Sequence, residues 1–307
     1  MFQSKNLSYL FFIIFWISCD SQVNQNILPN NTGKTNEIIV VVDDYFWEKS
    51  QGNIIRDIFS KEIPGLPQSE EFFNLIQINH KEFGRFFRTH QNIIFVNKDA
   101  KDSYSKNKWA TNQTIIYLNL NQKNTDFKES CVKAFNFINN KEIYTIKNQY
   151  KNGHNKSATK HIKQHFDIDI YVPTEYNTSK KEDNLFIADF HSFNEKQDLL
   201  KYIIVFQYAK HTNNADDEEM ILKTDSILRQ YIQGSVKGSF VQIDKRVQLL
   251  KDGDTYRGMW MLKNGFMAGP VVLKKYLKED RVVISLGLVF HPNEAKRKFV
   301  RDFESIL

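Results

Sequence analysis

His154, His161 and His165 are the residues of this chain best spaced for chemistry. On one continuous helix they fall within about 40° of each other. His161 and His165 are four apart, a spacing that lets two imidazoles bind one zinc ion. His154 would lie about 10 Å along the axis from His161, so the metal reading rests on the pair. The chain has no HExxH segment to supply the general base of a zinc peptidase. The same face carries Ile143 and Tyr150, so packing is the competing role for these histidines. A second constellation surrounds Met267-Ala268-Gly269-Pro270. Gly265 and Gly269 permit backbone conformations closed to other residues, and Pro270 withholds a ladder donor. The expected result is a bulge or sharp bend, with Trp260, Met267, Gly269 and Pro270 as the candidate binding residues.

Other polar groups read as structural. Asp43 and Asp44 end a strand, and adjacent strand residues point to opposite faces, so they are a turn and cap rather than a carboxylate pair. Asp216-Asp217-Glu218-Glu219 matches the acidic first turn of a helix. Asp252 and Asp254 flank a turn glycine without the rest of a calcium loop. Thr32-Gly33-Lys34-Thr35 imitates the end of a phosphate loop, but Leu28 stands where the first glycine belongs. Cys131 lies in a helical apolar stripe and reads as a buried thiol. No Gly-x-Ser-x-Gly elbow is present.

The elements that must position these groups follow from periodicity. Glu37–Asp43 is a continuous apolar run, the mark of a strand buried on both faces. Ser50–Ile63 is a helix stopped by Pro64-Gly65. Phe72–Ile78, Asn92–Val96 and Thr114–Leu120 read as strands, and His80–Thr89 as a helix with Phe83, Phe86 and Phe87 inward. Asp126–Asn139 is a helix burying Phe127, Cys131, Ala134, Phe135 and Ile138. A second helix is expected over residues 142–166, interrupted near Gly153. Ile168–Val172, Leu185–His191, Tyr202–Tyr208, Arg257–Leu262, Val271–Leu277 and Val282–Phe290 are strands. A helix from Asp216 to about Ile232 separates the second group of strands. A final helix from Pro292 should turn Ala295, Phe299, Phe303 and Ile306 inward and Lys296, Arg297, Lys298 and Arg301 outward. The expected fold class is α+β, with mixed and antiparallel sheets and helices packed on one face. Residues 37–140 and 166–307 are candidate similar subdomains joined by the helix near 142–166.

The N-terminal stretch sets location. Lys5 precedes Leu7–Ile17, which is apolar except for Ser8, and Ser18 stands before Cys19. A short positive start, a short apolar core and a small residue describe a secretory signal peptide over residues 1–18. The run is too short to span a bilayer, which takes about 20 apolar residues. Cysteine directly after the small residue makes the segment similar to a bacterial lipoprotein signal, with Cys19 the lipidated residue. More than one acyl chain gives stable anchoring. Residues 19–36 are rich in Asn, Gln and Ser and are expected to be a flexible tether. The formal net charge is +6, with Lys and Arg spread along the chain, which gives no nucleic-acid footprint.

The chain resembles the Gram-negative lipoproteins carrying domain of unknown function 4837. The resemblance rests on Gly33-Lys34, Glu37–Val42, Trp47, Gly52, Leu66-Pro67-Gln68, Phe72 and His90 with Asn92-Ile93-Ile94. In the C-terminal half it rests on Arg257-Gly258, Trp260, Met267, Gly269-Pro270, Gly287, Pro292 and Lys296-Arg297. It implies an exported lipoprotein, and it implies no activity. The expectation is therefore a lipid-anchored envelope protein, in the outer membrane, that binds or scaffolds an envelope partner without a cofactor. The alternative is a metal-assisted hydrolase using His161 and His165. Cys19→Ser should move the protein from the membrane fraction to the soluble fraction; unchanged retention would count against lipidation.

Overall fold

A computed structural model of the chain describes residues 27–98, 101–194, 197–210, 216–292 and 294–307. The expected signal peptide, Cys19 and the first part of the tether lie outside the described residues. The architecture is α+β, built on two sheets.

The first sheet begins with β1 (Glu37–Val41), followed by α1 (Asp44–Trp47), α2 (Ser50–Phe59) and β2 (Asn74–Ile78). It continues with β3 (Asn92–Asn97), β4 (Ser103–Lys106) and β5 (Thr114–Asn119) in the spatial order β2-β1-β3-β5-β4. All pairings are parallel except β4 with β5. The apolar run of β1 is explained by burial on both faces. Ile38 and Val40 face the main core with α2, while Ile39 and Val41 face Phe83 and Phe87 on the other side. The helix expected over His80–Thr89 is only a single 3-10 turn at Arg85–Phe87. Phe86 projects outward, 85% exposed, instead of packing inward.

The next helix, α3, runs unbroken from Asn124 to Asn152, where two helices were expected. Asn139-Asn140-Lys141 contains no glycine or proline to stop it. Its inner stripe is Phe127, Cys131, Ala134, Phe135 and Ile138, as the periodicity predicts. Burial pushes the Cys131 thiol up to about 12, consistent with an inert core group. Gly153 ends α3, and Asn155 caps α4 (Lys156–Phe166) by accepting from Ala158 N at 3.1 Å. Residues 168–172 bury Ile168, Ile170 and Val172 alternately, as a strand would, but join neither sheet.

The second sheet contains β6 (Asn177–Lys181), β7 (Leu185–Asn194) and β8 (Gln197–Ala209). After α5 (Asp217–Tyr231) come β9 (Phe240–Ile243), β10 (Leu250–Asp252), β11 (Thr255–Lys263), β12 (Ala268–Leu277) and β13 (Arg281–Phe290). Its order is β10-β11-β12-β13-β8-β7-β6, with β9 added at β11, and every pairing is antiparallel. The final helix, α6, spans Arg297–Ile306. α4 and α6 join the core on one face of this sheet, while α5 packs on the other. The acidic start of α5 is anchored as well as capped: Asp217 accepts from Tyr256 Oη at 2.6 Å and pairs with Lys251 and Lys275. The two halves are not similar subdomains, because one sheet is mainly parallel and the other wholly antiparallel. The tether is shorter than expected: Thr111 N donates to Pro29 O at 2.8 Å, and Thr32 exchanges backbone bonds with Thr89 and Gln91 at 2.9 Å.

One core cluster runs through both halves, and a buried ion network ties them. Arg297 makes a bidentate pair with Glu142, both bonds at 3.0 Å. Arg301 Nη2 donates to the same carboxylate at 3.0 Å and to Asn139 Oδ1 at 2.6 Å. Arg301 also pairs with Glu304, which in turn holds Arg257 of β11. Glu70 receives the backbone N–H groups of Lys296 and Arg297 at 2.7 and 2.9 Å. Lys296, Arg297 and Arg301, expected on an outward basic face, are therefore buried; only Lys298 of that set is exposed. Removing one partner of such a network leaves a buried charge unmatched, at about 3–5 kcal/mol. Glu142→Ala should lower unfolding free energy by roughly that amount in urea denaturation. A change within the scatter of surface substitutions would contradict this account.

Candidate functional site

The three histidines do not share a helix. α3 ends at Asn152 and α4 begins at Lys156, so His154 sits in the break, its Nδ1 on Lys151 O at 2.9 Å. His161 and His165 are together on α4, with ring centroids 4.3 Å apart. Each already has a neighbour: His161 Nε2 meets Glu182 O at 3.0 Å, and His165 Nδ1 meets Asp183 Oδ1 at 3.2 Å. Burial and the neighbouring cations lower the His161 pKa. Among the described residues, no group of three or more His, Cys, Asp or Glu side chains is placed to hold a metal ion.

The Trp260–Pro270 region is an in-register antiparallel hairpin of β11 and β12, without the expected bulge, because Pro270 and Gly269 keep the ladder register with Met259 and Trp260. Trp260 is 1% exposed, and its indole N–H donates to Val289 O at 3.1 Å. Gly269 pairs with Trp260, and a Cβ there would stand 2.0 Å from Val289 O. Glycine is needed for this close approach of two strands. Pro270 lies opposite Met259 in the ladder, and Met267 packs at the edge of the second core cluster. Packing thus accounts for Trp260, Gly269 and Pro270.

The parallel strands of the first sheet bring polar groups together at both ends. At their carboxyl ends, where open α/β sheets commonly bind ligands, Asp43 Oδ1 meets His80 Nδ1 at 3.0 Å and His80 Nε2 meets Asn97 Oδ1. The imidazole is thus held at both nitrogens, beside a cavity of about 270 Å³. Asp44 turns to Gln77 Nε2 at 2.9 Å, so the two aspartates do not pair.

The amino ends carry a larger cavity, about 610 Å³, and this is the candidate site. Its apolar wall is Ile39, Ile76, Phe86 and Phe87, and its polar groups include Glu37, Arg85 and His90. His90 is 6% exposed. Its Nδ1 faces Asn92 O at 3.2 Å, while Nε2 has no hydrogen-bond partner among the described residues. The Nε2 atom lies 3.7 Å from Glu37 Oε2, close enough for charge but long for a hydrogen bond. Gly33 covers the ring: a Cβ there would stand 2.2 Å from His90 Nε2, and its φ of +86° also favours glycine. Gln113 fixes the surrounding loop by donating to His90 O at 2.8 Å and accepting from Trp109 N at 2.9 Å. Neither His90 nor Glu37 stood out by spacing, because they lie 53 residues apart and meet only through strand pairing. Both were among the positions that carried the family resemblance.

Residues 155–307 match the family model described as domain of unknown function 4837. The chain carries that domain. Residues 31–152 match a different model, domain of unknown function 8532. The family likeness expected over most of the chain is thus divided between two models, with the division at the break between α3 and α4. The cavity belongs to the 8532 part, and the domain 4837 part supplies α6 and the second sheet. No curated protein matches the chain.

Burial lowers the His90 pKa, opposed by the Asn92 backbone and Glu37. The folded state therefore holds the imidazole neutral, while the unfolded chain takes up a proton below about pH 6.5. Stability from this group is present above that value and falls as pH drops toward the lowered folded value. His90→Asn should make the loss of stability between about pH 7 and 5 shallower than in the wild type. An identical pH dependence would contradict the assignment.

Proposed function

We propose that this protein is a lipid-anchored binding or scaffolding protein of the cell envelope, held by acylated Cys19 in the outer membrane. Its amino-end cavity receives an apolar group of an envelope partner. The observation that supports this most is Phe86, whose ring is 85% exposed at a cavity walled by Ile39, Ile76 and Phe87. An exposed aromatic beside an apolar cleft is the kind of anchor that binding surfaces use. Glu37 and Arg85 add one charge of each sign to fix orientation.

The position of the cavity fits the anchor. Thr32, which lines it, is bonded to Thr89 and Gln91 and lies thirteen residues beyond Cys19. Thirteen extended residues reach at most about 45 Å. A lipid on Cys19 would keep the mouth within that distance of the bilayer, where an envelope partner is concentrated. The hydrolase alternative draws less support, since His161 Nε2 is occupied by a backbone carbonyl.

Phe86 is exposed, so Phe86→Ser should leave folding unchanged. In membranes carrying the full-length chain, a photo-crosslinker at position 85 should capture an envelope component, and Phe86→Ser should abolish that adduct. An adduct of equal yield in the variant would overturn the role given to this ring.

A further inference from the structure

A second cavity, about 450 Å³, opens between β4, the start of β5 and the middle of α3. Its lining contains Lys106 and Lys141, carboxamides including Asn107 and Asn140, and the rings of Phe137 and Tyr144. Among the described residues, no carboxylate lines it. Lys141 is half-buried, and its ammonium donates to Asn112 O at 2.6 Å and Thr114 Oγ1 at 2.5 Å. Those acceptors are neutral, so two of its three protons are bonded without its charge being balanced. Lys106 Nζ lies 5.8 Å from the Phe137 ring centroid. Neither lysine has an ion-pair partner among the described residues.

Two cations beside a partly desolvated cavity repel each other, and an anion between them relieves that repulsion. The formal charges among the described lining residues are both positive. Gln113 is committed to Arg88, His90 and Trp109, Thr145 Oγ1 donates to Lys141 O, and Asn107 Oδ1 accepts from Gln113 N, so the groups that face the space include Asn140, Tyr144 and the two ammonium groups. Tyr144 is 67% exposed and can offer a ring face to a ligand, while Phe137, packed on the Tyr104 ring at 5.0 Å between centroids, supplies apolar wall.

We infer that this cavity binds an oxyanion, a carboxylate or a phosphate, carried on a sugar-sized ring, with Lys141 and Lys106 holding the charge and Tyr144 and Phe137 the ring. The site is independent of the Phe86 cavity, and the residues that test it are different. Charge-assisted bonds to a half-buried ammonium are stronger than neutral ones, so the anion supplies most of the discrimination. The groups facing Lys141 are Lys106 from β4 and the neutral Asn112 and Thr114 of the β5 start. Burial and Lys106 bring the Lys141 pKa down to about 8. A bound anion raises it again, so binding near that pH takes up a proton.

Calorimetric titration of the full chain with glucose 6-phosphate, glucuronate and glucose tests this and separates phosphate from carboxylate. At least one anionic sugar should bind about tenfold or more tightly than glucose. Its heat near pH 8 should vary with buffer ionisation enthalpy, reporting proton uptake. Lys141→Met should weaken it about tenfold. Lys106→Met, at an exposed side chain, should weaken it in the same direction without affecting the fold. Binding of neither anion above glucose, or binding by both variants as tight as by the wild type, would overturn the inference.

Discussion

The Glu142 carboxylate, shared by two guanidinium groups of the last helix, is the interaction on which the rest of this structure depends. It stands on α3, in the part matched by one family model, while Arg297 and Arg301 stand on α6, in the part matched by the other. Its side chain is 3% exposed. At such a site the attraction between charges has to offset a desolvation cost of several kcal/mol per ion. The geometry supports this: both carboxylate oxygens are used, and further guanidinium N–H groups donate to Phe72 O, Asn139 and Glu304. Arg257 extends the network to β11. Hydrophobic residues of similar size could stabilise the interface as well, so the ions act chiefly to fix how α6 seats against α3.

Seating α6 has consequences for the second sheet. Phe303 and Ile306 enter the core that also holds Val272, Val283 and Phe186. The same core reaches Ile38, Val40 and Ile94 in the first sheet. With α3 fixed on that face, Lys141 is directed from the helix toward Asn112 and Thr114, one residue before Glu142 turns the other way. Helical neighbours point about 100° apart, so adjacent residues serve the ion network and the lysine-lined cavity. The amino-end cavity is set by the parallel strands themselves, with Glu37 opening β1 and His90 preceding β3.

Much of the framework was legible in the sequence, for physical reasons. The Phe127–Ile138 stripe repeats at the helical period, and the apolar run of β1 is short and β-branched, which suits a strand buried on both faces. Gly153 stopped a helix, and Lys251–Asp254 turned a hairpin, through local chemistry. The misread elements share one feature, that a distant partner decides them. Arg297 and Arg301 look like a solvated face until Glu142, 155 residues earlier, is brought beside them. The alternation at Ile168–Val172 is a correct burial pattern on backbone that joins neither sheet. His80–Thr89 has helical spacing, but only Arg85–Phe87 forms a tight 3-10 turn, with Phe83 before it and Phe87 within it packed over β1 and β3. For the site, glycine signalled close packing at position 269 and not a ligand, because spacing cannot tell a close strand pairing from a pocket wall.

The Glu142 network and the common core make the two family-model parts one cooperative body. Native-state hydrogen exchange of the full chain, followed by mass spectrometry in increasing urea, reads this cooperativity. The slowest amides of β3 and of β13 should open with one common free energy and the same urea dependence. A first sheet that exchanges through its own opening, with lower free energy while β13 remains protected, would contradict it.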